Sequence, residues 1–306
     1  MKRWIPVVIA TVASAMAAED RITASSADVP LWAFPPPKAQ TVAGSALKLS
    51  EVQTYDRTRA VDWFPDEHPP MPASVAGRAP VFACGFCHLP NGGGRPENAA
   101  LAGMSADYIK QQIADMKTGV RVNDPHFTTG RNMLITAKVS TDADIASAAE
   151  YFANVTYRKR VRVVEAAEIP LAIADSIYFF DQSGAREPLG QRIIEGADDP
   201  EAFELRDSNT TYTAYAPIGS LARGAALAKG ADGVPVCEVC HGQGLKGGPV
   251  GPPLAGRFPT GLFRQLYAFK MGFRNGTQAA FMKPVVQLLD EQDMIALAAY
   301  AASLDP

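Results

Sequence analysis

The sequence predicts an all-α protein in which two copies of one helical domain follow a proline-rich N-terminal arm and flank an irregular inter-domain strap. Three observations lead to this prediction. A long stretch of the chain is repeated, both copies carry apolar residues at helical spacing, and prolines interrupt any helix in the first 70 residues. The length of 306 residues also suits two domains, by the guide of roughly 150 residues each.

The chain starts with the pattern of a secretory signal peptide. A short basic segment precedes an apolar run at 4–15, and small residues offer a cleavage site after Ala17 or Ala18. Because this run is shorter than the ~20 residues that span a bilayer, we expect removal of residues 1–18, with an uncleaved anchor as the alternative. Loss of the two basic residues takes the formal charge from −3 to −5, and this acidity argues against nucleic acid as a partner.

Residues 19–70 are predicted to form an extension rather than a domain, because prolines recur along them. Three aromatic residues of this arm, Trp32, Trp63 and Phe64, are predicted to anchor it on a folded body. A docking arm for a partner protein is the alternative. His68, which lies among the prolines, is expected at the surface.

Two short motifs hold every cysteine of the chain, and each reads Cys-x-x-Cys-His. This is the attachment signature of a c-type haem, because two thiols add to the vinyl groups of the porphyrin and the following histidine reaches the iron. A four-thiolate zinc site would need a shorter gap between the pairs, and a thioredoxin-like motif would need a βαβ context. The motifs predict two covalently bound haem c groups, held by Cys84, Cys87 and His88 and by Cys237, Cys240 and His241.

An internal repeat surrounds both motifs. An offset of 153 positions relates the first cysteines of the two motifs, the Leu-Ala-Gly segments that follow them and the Lys-x-Gly-x-Arg segments after those. The offset then becomes 149 and holds as far as Tyr151 and Tyr300. We therefore predict two copies of one haem domain, at 71–157 and 217–306.

Helices are predicted in both copies from apolar spacing and from capping residues. The middle helices cover 108–117 and 262–271, and the closing helices cover 145–152 and 294–304. Copy two opens with a further helix, for which Ser220 is the predicted N-cap. Gly224 in that helix is predicted to allow a close crossing by the closing helix of the same copy.

The segment at 158–216 has no counterpart in the repeat and no strong periodicity. It is predicted to be an irregular strap that packs over both domains. Short strands at 193–194 and 212–215 are the regular structure that its residues suggest. A specialised contact surface is the alternative.

The sixth iron ligand decides between electron transfer and substrate chemistry, because two strong protein ligands leave no open position. Met133 and Met282 stand out among nine methionines, since they are repeat partners and each lies 11 residues before the Asp of the closing helix. They are the predicted sixth ligands. In copy one His126 is an alternative ligand, and an open iron site is another.

With these motifs in place, both copies resemble class I cytochrome c domains, and the tandem arrangement is similar to dihaem cytochromes of the c4 type. The resemblance covers the two copies but neither the arm nor the strap. It implies that a loop methionine, which maps onto Met133 and Met282, closes the sixth position. It also implies a proline carbonyl that orients the proximal histidine; Pro252 supplies it in copy two, whereas copy one has Ala99, whose carbonyl is expected to accept without the stiffness of proline.

The predicted function is that of a periplasmic electron carrier rather than an enzyme. Export fits this cofactor, because proteins of this class receive haem outside the bacterial cytoplasm. The expected donor is a dehydrogenase or a quinol-oxidising complex, the expected acceptor is an oxidase or reductase, and membrane contact is expected only through partners or an uncleaved signal. The alternatives are a peroxidase or other oxidoreductase with one open haem, and the cytochrome subunit of a dehydrogenase complex.

Overall fold

The computed structural model describes residues 39–125, 130–174 and 177–306. The predicted signal peptide, the predicted anchor Trp32 and His126 lie outside the described residues. Within these ranges, no helix combines the length and the apolar character that a membrane span requires.

The described part of the arm is held by an aromatic anchor. Its regular elements are β1 (Ala39–Gln40), β2 (Leu49–Ser50), α1 (Glu51–Tyr55) and a 3-10 turn (Pro65–Glu67), with β1 and β2 paired antiparallel. Trp63 is buried and donates a hydrogen bond from Nε1 to the carbonyl oxygen of Leu205 at 2.7 Å. The prediction that Trp63 anchors the arm is confirmed.

The first helical copy contains, in chain order, α2 (Ala73–Ala76), α3 (Cys84–His88), α4 (Ala106–Thr118), α5 (Gly130–Val139) and α6 (Asp142–Ala153). Helix α6 begins with a capping box, in which the side chains of Thr141 and Asp144 accept hydrogen bonds from each other's backbone N–H. Phe152 of α6 packs with Val75 and Ile109 in one buried cluster. The middle and closing helices predicted for this copy are confirmed, and each begins two or three residues earlier than predicted.

His68 is not a surface residue, so that prediction was wrong. Its side chain is buried, with Nε2 at 3.2 Å from Oδ1 of Asp62 and Nδ1 at 3.0 Å from the hydroxyl of Tyr151. Tyr151 itself donates to the carbonyl of Pro90 at 2.7 Å. Polar partners from the arm and from α6 satisfy both ring nitrogens, and this allows the histidine to be buried.

The segment at 158–216 is not irregular, and the fold is not all-α. It contains, in chain order, β3 (Val161–Glu165), β4 (Glu168–Pro170), β5 (Ala172–Ala174), β6 (Tyr178–Phe180), β7 (Arg186–Pro188), β8 (Ile194–Ala197), α7 (Pro200–Glu204) and β9 (Tyr212–Ala216). Five strands form a mixed sheet in the order β3-β9-β8-β6-β5, and β4 pairs with β7. The predicted strands at 193–194 and 212–215 correspond to β8 and β9.

Most of this sheet leaves no local signal in the sequence. Strand β3 pairs in parallel with β9, so that Val161 lies opposite Tyr212, and a parallel pair needs no hairpin turn. All four residues of β8 are buried, so the strand does not alternate apolar and polar residues. We call this segment the insert, because it separates the two helical copies.

The insert packs against both copies, as predicted for a strap. On one side, Tyr212 of β9 shares a buried cluster with Phe258 and Ala302 of copy two. On the other side, Leu205 shares a buried cluster with Phe86 of copy one.

The second helical copy follows the first in structure as well as in sequence. Its helices are α8 (Ser220–Ala228), α9 (Glu238–His241), α10 (Pro259–Lys270), α11 (Ala279–Gln287) and α12 (Glu291–Ser303), with 3-10 turns at Ala231–Gly233 and Gln243–Leu245. Helices α10, α11 and α12 begin 153, 149 and 149 positions after α4, α5 and α6. These are the offsets of the sequence repeat.

Helix α8 crosses α12 closely at Gly224. A Cβ atom at this position would collide with the carbonyl of Ala296 and would lie 2.6 Å from Cβ of Tyr300. The predicted close crossing is confirmed. The N-cap of α8 is Gly219, with a φ of 93°, rather than the predicted Ser220.

Candidate haem-attachment sites

Each motif forms a short helix that ends at its histidine. Nδ1 of His88 lies 2.7 Å from the carbonyl oxygen of Ala99, and Nδ1 of His241 lies 2.8 Å from that of Pro252. Because a carbonyl only accepts, Nδ1 carries the proton and Nε2 keeps a lone pair for a metal ion. Both rings are buried, and burial lowers the pKa of each histidine, which favours the neutral form that a ligand needs.

The missing proline of copy one does not change this orientation, so the expectation for Ala99 is confirmed. The neighbouring backbone is held from the other copy instead. Arg257 donates from Nη1 to the carbonyl of Ala100 at 2.7 Å and from Nη2 to that of Ala102 at 2.9 Å. A guanidinium from copy two thus stabilises the loop that orients the histidine of copy one.

The four cysteines are free thiols that lie in two separate places. Cys84 packs against the cluster of copy one that contains Phe152, and Cys237 packs against a cluster of copy two that contains Ala255. Burial raises the pKa of Cys84 to about 11, and Cys87 and Asp144 add to the effect. Because the two pairs lie in different clusters, they do not form a shared four-thiolate zinc site.

In copy one, Cys84 and Met133 line the same apolar cleft, although they are far apart in sequence. Met133 lies in α5 rather than in a loop, and the cleft is otherwise walled mainly by residues of α6 and by Phe82, Ile113 and Ala137. A thiol and a thioether that face one apolar cleft fit a flat apolar macrocycle. Cys84 and Met133 of copy one therefore fit haem, whereas His88 does not line this cleft.

In copy two, two observations fit the same group. Every residue from 260 to 270, in helix α10, is only half-buried, so its apolar side chains, such as Leu262 and Phe263, are not fully covered by the rest of the chain. A Cβ at Gly251 would lie 2.7 Å from Nδ1 of His241, so a glycine is required where the backbone passes the ring. Met282 lies half-buried in α11 and packs against a different cluster from Cys237, so the structure does not bring these two predicted site residues together.

Two arginines meet where the copies contact each other. Arg121 and Arg274 are repeat partners; Nη1 of Arg121 and Nη2 of Arg274 both donate to Oε1 of Gln112 at 2.7 Å. Gln265 accepts from Nη2 of Arg121 at 3.2 Å and from Nη1 of Arg274 at 3.0 Å. Burial and repulsion by Arg274 lower the pKa of Arg121 to about 9. The two guanidinium groups therefore share neutral amide oxygens as acceptors.

Sequence reasoning missed two parts of these sites. Gln112 and Gln265 are separated by the same offset of 153 as the motifs, so the repeat contained a signal for them. Arg206 of the insert places its guanidinium carbon 3.7 Å from the ring centroid of Phe86, inside the first motif. Arg206 lies outside the repeat, and no sequence pattern connects it to this motif.

The comparison with known proteins agrees with this geometry. The sequence profile of the family described as Cytochrome c matches residues 221–305. Cytochrome c4 of Azotobacter vinelandii is 24% identical over 237 residues, which cover 76% of this chain and 89% of that protein. Cytochrome c-554(548) of Halomonas halodenitrificans is 39% identical over 79 residues, which cover 25% of this chain and 93% of that protein. The chain belongs to the cytochrome c family.

A solved structure extends the likeness beyond one copy. The thiosulfate dehydrogenase TsdBA of Marichromatium purpuratum matches 74% of this cytochrome with a TM-score of 0.50 and 27% identity. This cytochrome spans only 37% of that chain. As a member of the cytochrome c family, the present protein is an electron-transfer c-type cytochrome that carries covalently attached haem c and works with redox partner proteins.

Proposed function

We propose that this protein is a periplasmic dihaem cytochrome that carries single electrons from a dehydrogenase or a quinol-oxidising complex to a terminal acceptor. One observation carries the proposal. Two Cys-x-x-Cys-His helices each present a buried histidine whose Nδ1 is bonded to a backbone carbonyl, so that Nε2 is ready for iron in both copies. One haem per copy makes a two-centre relay.

The residue roles follow from the motif chemistry. Cys84 and Cys87, and equally Cys237 and Cys240, hold the porphyrin by thioether bonds, while His88 and His241 are the proximal ligands. Met133 and Met282 are the sixth ligands. When bound, haem supplies the one-electron couple, and a thioether ligand raises its reduction potential relative to a second histidine.

Residues around the two haem sites prepare them for electron transfer. Carbonyls hold each imidazole in one tautomer, and apolar walls such as Phe82 and Ile113 exclude water from the macrocycle. The cationic pair Arg121 and Arg274 would attract an anionic group, such as a haem propionate, to the contact between the copies. The domain division that follows is 71–157 and 217–306, with the insert at 158–216.

The periplasmic location rests on the basic and apolar start of the chain, which has the pattern of a signal peptide over 1–18. Attachment of haem to both motifs takes place in that compartment.

A second candidate is the cytochrome component of a dehydrogenase complex. The likeness to TsdBA, at 27% identity, supports it, because that protein is a thiosulfate dehydrogenase. In this role the chemistry is the same, and the partner is permanent. A catalytic haem in this chain would instead require one iron without a sixth protein ligand.

The test is the optical spectrum of the purified holoprotein, at the weak far-red band of methionine-to-iron ligation. We expect the parent to show this band at the intensity of two methionine-ligated haems. Each of the variants Met133→Ala and Met282→Ala should show half of that intensity. Carbon monoxide should bind to the reduced variants and not to the parent. If the parent shows half the intensity of this band and binds carbon monoxide, the electron-carrier proposal is contradicted and a catalytic haem is favoured. Copurification with a larger subunit would favour the dehydrogenase component.

A further inference from the structure

Repeat-related positions in the two motifs differ sharply in exposure. Phe86, the second variable residue of the first motif, is 3% exposed, whereas its partner Val239 is 80% exposed. The residue before each motif shows the same contrast, with Ala83 at 2% and Val236 at 41%. The same face of the haem-attachment helix is therefore covered in copy one and open in copy two.

The cover of copy one comes from the chain itself. The guanidinium of Arg206 lies over the ring of Phe86, and its Nη1 donates to the Phe86 carbonyl at 3.1 Å. Leu205 and Trp63 complete the cover in the same buried cluster. The cover thus combines apolar side chains with one cation from the insert.

The open face of copy two presents an apolar patch beside the cysteines, which we define as Val236, Val239 and Val250. The backbone N–H of Val239 donates to the carbonyl of Val236 at 3.2 Å, so these two exposed residues lie on one turn of the chain. Gly251 donates to the carbonyl of Cys240 at 3.0 Å, which brings Val250, itself 49% exposed, close to the motif.

An acidic residue of the motif lies next to this patch in the chain, and its Oε1 accepts from the backbone N–H of Gly244 at 2.9 Å. Glu238 is exposed between Cys237 and Val239, whereas its repeat partner in copy one is Gly85, which has no side chain. The open face therefore matches a surface that combines apolar residues with a cation. This is the combination that Leu205 and Arg206 supply on copy one.

We propose that the apolar patch of copy two is the docking surface for a redox partner protein that presents an apolar contact and a neighbouring lysine or arginine. The insert keeps the equivalent face of copy one closed. Electrons exchanged with this partner pass through copy two, and copy one is the inner centre of the relay. The inference rests on the proposed electron-transfer function.

The test uses the reduced holoprotein and, as a probe, a soluble monohaem cytochrome c with lysines around its haem edge, mixed by stopped flow. We expect Val239→Asn to lower the second-order rate constant about tenfold, because it removes an apolar contact without adding charge. Ile218→Asn is the matched control, since Ile218 is exposed at the opposite end of α8 and should leave the rate unchanged. The small oxidant hexacyanoferrate should oxidise all three proteins at equal rates.

An unchanged rate for Val239→Asn, or an equal fall for Ile218→Asn, would overturn the docking surface. If the parent is a dimer and Val239→Asn converts it to a monomer, the patch binds a second copy of this chain, and the proposal of a redox partner protein is overturned. Failure of hexacyanoferrate to oxidise two haems in the parent would instead overturn the proposed function itself.

Discussion

At the scale of single residues, Glu195 stands out because it is an acid buried in the sheet of the insert. Its Oε2 accepts from the hydroxyl of Thr260 at 2.5 Å, and Oε1 has no hydrogen-bond partner among the described residues. Burial raises the pKa of Glu195 to about 7, against the opposing effect of the hydrogen bonds from Thr260. The folded protein therefore retains a proton that the unfolded chain releases near pH 4.5.

The sign of the pH effect follows from this difference. The contribution of Glu195 to stability is fully present below pH 4.5 and is lost as the pH rises to about 7. Between pH 4.5 and 8 the titration of Glu195 lowers the free energy of unfolding by about 3 kcal/mol, and we expect Glu195→Gln to abolish this decrease. Unfolding of the holoprotein by guanidinium chloride at both pH values measures this change in the free energy of unfolding. Glu201→Gln, at an exposed residue, is the control. Parallel pH profiles for the parent and Glu195→Gln would refute the assignment.

At the scale of elements, two glycines within helices differ in the space around them. Gly224 in α8 has no room for a Cβ, because the carbonyl of Ala296 and Cβ of Tyr300 occupy the space. Gly261 in α10 has its nearest neighbours at 3.8 Å and 3.9 Å, an ordinary contact distance. The same substitution should therefore have opposite effects at the two positions.

We expect Gly224→Ala to destabilise the protein by about 2 kcal/mol, because the added methyl forces α8 away from α12. Gly261→Ala should stabilise it by about 0.5 kcal/mol or more, because alanine is the better helix former. Denaturant unfolding of both variants measures the two effects. Destabilisation of similar size in both would show that the close crossing of α8 and α12 is not the cause.

At the scale of the whole molecule, the two copies meet through repeat-related residues. Arg121 and Arg274 face each other, Gln112 and Gln265 accept from both, and the backbones of 121 and 274 form an antiparallel bridge. Repeat partners that contact each other in this way indicate an approximate two-fold relation between the copies. One buried amide thus bonds to both guanidinium groups.

We expect Gln112→Ala to destabilise the protein by about 3 kcal/mol, because it leaves two guanidinium groups each short of an acceptor. Gln287→Ala, at the exposed end of α11, is the control and should have little effect. Calorimetry of the holoproteins checks the prediction, with separate unfolding of the two copies expected only in Gln112→Ala. A single unchanged transition in this variant would exclude Gln112 as a link between the copies.

The insert breaks the approximate two-fold relation, and its sheet could not be read from the sequence. The sequence predicted the helices because apolar spacing and capping pairs such as Thr141 with Asp144 act over a few residues. The sheet of the insert depends on pairings such as Val161 with Tyr212, which no local pattern encodes. The burial of His68 likewise depends on Tyr151, a residue far along the chain.

The sequence by itself determined the chemistry of this cytochrome, because haem attachment depends on the spacing of Cys, Cys and His within five consecutive residues. It also determined the repeat, because two copies of one domain keep the same order of motifs. Only the tertiary structure decided that Arg257 holds the loop of Ala99, that Arg206 covers Phe86 and that Val239 stays exposed. These contacts join segments distant in sequence, and their free energy depends on which surfaces the fold brings together.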